Sequence, residues 1–265
     1  MAHSFRVTLA QLNPTVGDIT GNIAKALSAW EMGKGEGADF VVLPEMFATG
    51  YQVQDLVLKP AFVADVMGAI EHLASQTTNG PALGIGGPLQ NADGLFNAYY
   101  ILQNGKITNT VKKHNLPNST VFDEKRLFDT ADISGPYAIG PIRIGTPICE
   151  DAWHMDVAEA QVESGADILI VPNGSPYERG KMDHRLSHVA ARVIETGVPV
   201  IYLNMVGGQD DQIFDGGSFV LNPGGAMAAS LPMFAETTQT LEFTDTPQGW
   251  HCTPGPKASW PDEWE

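Results

Sequence analysis

Twice along the chain a strand, a helix and a second strand follow one another, and each time a hairpin breaks the series. "FRVTLAQLN" (5–13) and "DFVVLPE" (39–45) read as strands flanking the helix "NIAKALSAWEMGKGEG" (22–37). A second helix, "FVADVMGAIEHLASQT" (62–77), leads into "PALGIGGPL" (81–89). "LFNAYYILQNGKITNTVKK" (95–113) then turns back at Asn104-Gly105, a dipeptide suited to a two-residue hairpin. The second half repeats the pattern in "PIRIGTPIC" (141–149), helix "DVAEAQVESG" (156–165), "DILIVPNGS" (167–175), helix "MDHRLSHVAARVIETG" (182–197) and "VPVIYLNMVG" (198–207). A hairpin over 212–230, turning at Pro223-Gly224-Gly225, and a strand "QTLEF" (239–243) complete it. Such interrupted βαβ units predict two mixed sheets with helices outside them, not one doubly wound sheet.

With 265 residues, 43% of them hydrophobic, the chain can bury one large layered α/β core. We place that domain at 1–245 and read the Pro-, Gly- and Trp-rich stretch 246–265 as a tail with no period. The formal charge of -16, from 31 acids against 15 bases, speaks against nucleic acid and anionic membrane as partners. Two widely spaced cysteines make no disulfide framework, and no run reaches the roughly 20 apolar residues of a membrane span. With no leader pattern at the N-terminus, the expectation is a cytoplasmic protein.

Three strand ends carry chemistry. Glu45 closes a nearly all-apolar strand, Lys113 closes the hairpin, and Cys149 follows "RIGTPI" directly before Glu150 and Asp151. Each has a plain reading alone: a carboxylate emerging into solvent, a solvated lysine, a packed core thiol. The acids beside Cys149 disfavour its thiolate, so a catalytic thiol there needs a cation and a base from elsewhere. Lys113 and Glu45 supply both, at the strand ends where α/β sheets build their sites, and together the three form a toolkit for acyl transfer. The backbone N–H after Cys149 offers a second oxyanion donor.

The motifs "LPEMFATGY", "KKHNLPN", "VFDEKRLFD", "ICEDAWH", "NGSPYERGK" and "NMVGGQDDQIFDGGSFV" resemble the nitrilase (carbon-nitrogen hydrolase) superfamily over residues 5–243. Within it, they resemble the N-terminal glutamine amidotransferase domain of glutamine-dependent NAD synthetases. The resemblance implies a four-layer α-β-β-α sandwich and a Glu-Lys-Cys triad falling on Glu45, Lys113 and Cys149. It also implies a pocket for L-glutamine lined by Tyr51, Ser119, Glu150, Trp153, Ser175 and Lys181, with Glu150 holding the substrate's α-ammonium. No cofactor or metal is implied for this part. ATP, Mg²⁺ and deamido-NAD would belong to an NAD synthetase domain absent from the chain, and "SWPDEWE" resembles the start of the linker to it. Assembly into at least a dimer is likewise implied.

Other signals are weaker. His184 and His188 stand four apart on a helix, but no third ligand completes a zinc pattern. "GIGG" (84–87) precedes no helix, and "GGSFV" (216–220) is not a serine nucleophile elbow. A free-standing amidase of the same superfamily, or a silent binding domain, are the rival readings. The family's "LPNYGVFDE" is "LPNSTVFDE" here, with Ser119 replacing a tyrosine expected over the substrate. Ser119→Tyr is therefore expected to lower the KM for glutamine about five- to thirtyfold, the equivalent of ~1–2 kcal/mol of ring burial, with a smaller change in maximal rate. Steady-state kinetics checks this, and an unchanged or higher KM refutes it.

Overall fold

In the first strand Phe5, Val7 and Leu9 alternate with Arg6 and Thr8, so a pleated strand turns three large apolar side chains to one face, and all three are fully buried. That face opens onto the space between two sheets. The computed structural model describes residues 3–119 and 121–260. Its elements are β1 (Ser4–Gln11), α1 (Ile19–Gly35), β2 (Phe40–Val42), α2 (Pro60–Gln76), β3 (Ala82–Asn91), β4 (Gly94–Gln103), β5 (Lys106–Lys112), β6 (Tyr137–Ile139), β7 (Ile142–Gly145), α3 (Met155–Glu163), β8 (Ile168–Asn173), α4 (Lys181–Thr196), β9 (Val200–Asn204), β10 (Val206–Gln209), β11 (Gln212–Asp215), β12 (Phe219–Leu221), β13 (Met227–Ser230), β14 (Thr237–Thr246) and β15 (Gly249–Cys252).

The first sheet runs β15-β14-β1-β2-β3-β4-β5 and the second β13-β12-β9-β8-β7-β6, while β10 and β11 form a separate two-stranded ribbon. Each sheet has a parallel centre, β1-β2-β3 in one and β7-β8-β9 in the other, flanked by antiparallel strands. Phe5, Val7, Phe40, Val42 and Ile101 from one sheet share a core with Ile144, Ile168, Ile170, Ile201 and Val220 from the other. The opposite faces are covered by helices: Val41, Leu83 and Tyr100 pack with Trp30, Ile70 and Leu73, and Leu169, Val171 and Tyr202 pack with Val189 and Val193. The expected α-β-β-α sandwich is thus the observed fold.

Local chemistry explains the turns. Asp18 caps α1 by accepting from the Gly21 N–H at 2.9 Å. Asn104 and Gly105 sit at φ of 53° and 81°, as a tight β4–β5 turn requires. Three readings are corrected. Residues 198–207 are not one strand: β9 ends at Asn204, and β10 leaves to pair with β11. "QIFD" is therefore not an arm of the later hairpin, which joins β12 to β13 beyond the left-handed Gly216 and Gly217. The third is the tail, which does not stop being part of the domain at 245. β15 pairs with β14, Trp250 and Cys252 enter the inter-sheet core, and Trp260 Nε1 donates to the Leu231 carbonyl at 2.8 Å. Residues 261–265, where the linker resemblance ends, lie outside the described residues.

Because Trp250 is 7% exposed within that core, Trp250→Ala is expected to destabilise the full chain by roughly 3–5 kcal/mol in urea unfolding. A loss under about 0.5 kcal/mol would mean that the tail only rests on the sandwich.

Candidate active site

Lys113 directly follows the C-terminal end of β5, and Glu45 and Cys149 stand a few residues beyond those of β2 and β7. The packing of the two sheets brings these ends together. Glycines make the approach possible. A Cβ on Gly86 of β3 would come within 2.2 Å of the Met46 backbone nitrogen, and one on Gly174, just past β8, within 2.4 Å of the Tyr51 ring. Gly86 of "GIGG" thus makes room for the Glu45 loop, whose Ala48 N–H donates to the Gly86 carbonyl at 2.9 Å.

Lys113 is fully buried between two carboxylates, with Nζ 2.7 Å from Glu45 Oε1 and 2.8 Å from Glu124 Oε2. Asn97 Nδ2 donates to Glu45 Oε1 at 2.8 Å, the Gly174 N–H to Glu45 Oε2 at 2.9 Å, and the Tyr51 hydroxyl to Glu124 Oε1 at 2.7 Å. Burial disfavours the Lys113 ammonium, but Glu124 and Glu45 outweigh it and hold its pKa well above the usual lysine value. Burial raises the Glu124 carboxyl above the ordinary range; Lys113 opposes this and the charge on Glu45 adds to it. Tyr51 stays a phenol, since burial and then Glu124 and Glu45 push its pKa up.

Cys149 begins the 3-10 turn Cys149–Trp153 and is 4% exposed. Its φ of 48° is left-handed, a conformation a non-glycine residue holds at some cost and one that concentrates at functional sites. Burial holds the thiol well above the usual thiol range; Glu45 pushes the same way, Lys113 pulls against it, and Glu150 and Glu124 add to the rise. Asp151 fixes the turn by accepting from the N–H groups of Ile148 at 3.0 Å, His114 at 3.2 Å and Asn115 at 2.6 Å, tying the Lys113 strand end to the cysteine turn. Burial pushes its pKa up to about 6.

The remaining candidates fall into two groups and an outlier. Tyr51 belongs to the charge cluster. Half-buried Glu150 and Trp153 belong to the cysteine turn, and half-buried Lys181 lies beside it: His154 Nε2 is 3.6 Å from Glu150 Oε1, and Lys181 Nζ is 5.7 Å from the Trp153 ring. Ser175 is buried behind them, its Oγ accepting from Arg185 Nε at 3.1 Å and its N–H donating to Asn204 Oδ1 at 2.9 Å. Ser119 is not brought in. It is exposed, and the rings set against Tyr51 are Phe122 and Phe214, at centroid distances of 6.4 and 6.2 Å.

Sequence reasoning missed Glu124, Asn97 and the buried Arg185–Asp215 pair, whose Nη1 and Oδ2 are 2.7 Å apart. Glu124 lies in the aperiodic loop 116–129, where its short turn gives no period to read. The one available signal was an acid among aromatics in a long loop. Asn97, a buried polar side chain inside an apolar strand, carried a clearer one. Among the described residues no group of three His, Cys, Asp or Glu is arranged to hold a metal ion, and His184 is exposed while the His188 ring lies against Trp153, tilted by 43°. No helix among them is long and apolar enough to cross a membrane.

Four layers, with a cysteine set beside buried charges at the strand ends, define a sandwich of the nitrilase type. An amidase of the nitrilase superfamily from Nesterenkonia AN1 superimposes with a TM-score of 0.78 over 90% of each chain, at 19% identity, a likeness of fold. The carbon-nitrogen hydrolase profile matches residues 6–250, and the chain belongs to that family. It is 55% identical over 254 residues to a glutamine-dependent NAD(+) synthetase of Rhodobacter capsulatus, covering 96% of this chain and 46% of that protein. A solved glutamine-dependent NAD+ synthetase from Acinetobacter baumannii, in complex with ADP, matches with a TM-score of 0.93 at 32% identity, over 99% of this chain and 49% of that one. The chain spans about half the length of these relatives.

The charges around Cys149 set opposite expectations for two variants. Glu45→Gln removes an anion that holds the thiol up, so the thiolate fraction rises. Lys113→Met removes the cation that pulls it down, so the fraction falls. Alkylation by iodoacetamide at about pH 8 should be faster than wild type in the first variant and slower in the second. Shifts in the same direction, or reversed, would contradict the electrostatic assignment.

Proposed function

We propose that this chain is the glutamine-hydrolysing part of a glutamine-dependent NAD(+) synthetase, releasing ammonia from L-glutamine through a thioester on Cys149. The observation that carries the reading is the buried Glu45–Lys113–Glu124 cluster beside a strained, protonated cysteine. The names of the half-matched relatives supply the substrate.

Glu45 Oε1 already accepts from Lys113 and Asn97, whereas Oε2 accepts, among the described residues, from the Gly174 N–H alone and keeps acceptor capacity for the thiol proton. As the sulfur attacks the side-chain amide carbon, that proton passes to Glu45 and then to the departing nitrogen, which leaves as ammonia. Lys113 has three N–H donors and two are engaged by carboxylates; the third is available to the tetrahedral oxyanion, with the backbone N–H of Glu150 as a second donor. Water deprotonated by Glu45 then attacks the γ-glutamyl thioester, giving glutamate and the free thiol. Glu124 and Tyr51 act through Lys113, holding the ammonium where both steps need it.

Tyr51, Glu150, Trp153, Ser175 and Lys181 line the substrate pocket in this reading. The half-reaction uses no cofactor or metal. Deamido-NAD, ATP and Mg²⁺ belong to a synthetase domain that receives the ammonia, and assembly of further copies is part of the same proposal.

Cys149→Ala should abolish ammonia release while keeping its thermal transition, because little packing is lost. Lys113→Met should lower the rate ~10²–10³-fold. A diazoketone analogue of glutamine should add covalently to Cys149, with glutamine protecting. Ammonia release by Cys149→Ala, or labelling that glutamine does not slow, refutes the proposal.

A further inference from the structure

One buried ion pair has no part in the proposed chemistry. Arg185 of α4 is fully buried, and its Nη1 donates to Asp215 Oδ2 at the end of β11, 2.7 Å away. A buried pair of this kind is costly unless its remaining donors are satisfied. Here they converge on one turn: Nε donates to Ser175 Oγ at 3.1 Å, and Nη2 to the Ser175 and Pro176 carbonyls at 2.9 and 3.1 Å. Gly174, Ser175 and Pro176 follow the last residue of β8 and are all buried, so their backbone groups have left the sheet and need other partners. Asn204 at the end of β9 meets two of them, taking the Ser175 N–H on Oδ1 at 2.9 Å and donating Nδ2 to the Ser175 carbonyl at 3.0 Å. The Asn204 N–H donates to Ser218 Oγ at 2.9 Å, and that hydroxyl donates to Gln11 Oε1 of β1 at 2.7 Å. The turn is thus pinned to α4, to β11 and, through Ser218, to the other sheet. Its remaining N–H points away from this scaffold: Gly174 donates to Glu45 Oε2 at 2.9 Å.

We propose that Arg185 is a positioning residue for Glu45: braced by Asp215, it fixes the Gly174–Pro176 turn so that the Gly174 N–H orients the carboxylate for proton transfer. The inference rests on the reading of Glu45 as the base of the glutamine reaction. A guanidinium suits the task because its planar fork reaches a carboxylate, a hydroxyl and two carbonyls at once, which the single ammonium of a lysine cannot do in the same geometry. With the turn loosened, Glu45 keeps Lys113 and Asn97 on Oε1 but loses the donor that sets Oε2, the oxygen that takes the thiol proton in that reaction. The effect falls on kcat, since misplacing a reacting group by about 1 Å costs on the order of 10²-fold in rate.

Arg185→Lys tests this on the full chain, because it keeps a cation opposite Asp215 and removes the fork. The expected result is a kcat for glutamine ~10- to 100-fold lower, with KM within about threefold and the thermal transition retained. Asp215→Asn, which removes the brace instead, should give the same pattern. The decisive comparison repeats both changes in Glu45→Gln: a residue that acts through Glu45 costs no more than about twofold there, whereas one that merely stabilises the fold lowers the residual rate by the same factor in both backgrounds. Alkylation of Cys149 by iodoacetamide needs no turnover and gives a second reading. Arg185→Lys should change its rate at least about twofold beside Glu45 and leave it unaltered in the Glu45→Gln background. Equal factors in the two backgrounds, a kcat within about twofold of wild type, a KM rise without loss of kcat, or failure of both variants to fold overturns the inference. Ammonia release in Cys149→Ala, or none from the unaltered chain, refutes the glutaminase reading alone, and the alkylation comparison then still decides the role of Arg185.

Discussion

Everything in this molecule that bears on chemistry depends on one buried ammonium held between two buried carboxylates. Stripping Lys113, Glu45 and Glu124 of water is costly, and attraction offsets that cost only where the geometry is good and the remaining lone pairs are satisfied. Here they are: Asn97 and the Gly174 N–H complete Glu45, and Tyr51 completes Glu124. The groups of the cluster come from both sheets and from two long loops. The cluster therefore forms only when the two sheets have packed and the loops after β2 and β5 have closed. Removing Lys113 leaves two buried carboxylates without their cation, a change typically costing about 3–5 kcal/mol, whereas removing either glutamate still leaves Lys113 one carboxylate partner.

The cysteine turn is subordinate to that cluster. Asp151 fastens it to the end of β5, so Lys113 and Cys149 belong to one rigid corner although they come from different sheets. The same burial that makes the cluster strong keeps the thiol protonated. In the proposed reaction a protonated thiol needs a base at hand, and Glu45, already oriented by three donors, would be pre-organised for that purpose.

Much of this was legible in the sequence, for physical reasons that differ by element. β1 announced itself through Phe5, Val7 and Leu9, and the β4–β5 turn through Asn104-Gly105, because both signals are local. Glu45, Lys113 and Cys149 stood out as strand-end groups of complementary chemistry. Glu124 did not, because its place is fixed by Lys113 and Tyr51 and not by its neighbours in the chain. The Arg185–Asp215 pair joins α4 to β11 across 30 positions and left no mark in either segment. The tail misled because β15 is four residues long and adds to an edge, where pairing with β14, not periodicity, makes the strand. Ser119 was placed by likeness to a loop whose course here puts Phe122 beside Tyr51 instead.

The central claim is that the cluster serves a covalent step at Cys149, and trapping with hydroxylamine tests it most directly. A γ-glutamyl thioester partitions between water and the added nucleophile, so γ-glutamyl hydroxamate should rise with hydroxylamine while glutamate falls by the same amount, and both products should vanish in Cys149→Ala. Ammonia and glutamate as the only products at every hydroxylamine concentration, or hydroxamate formed without the cysteine, would contradict the account.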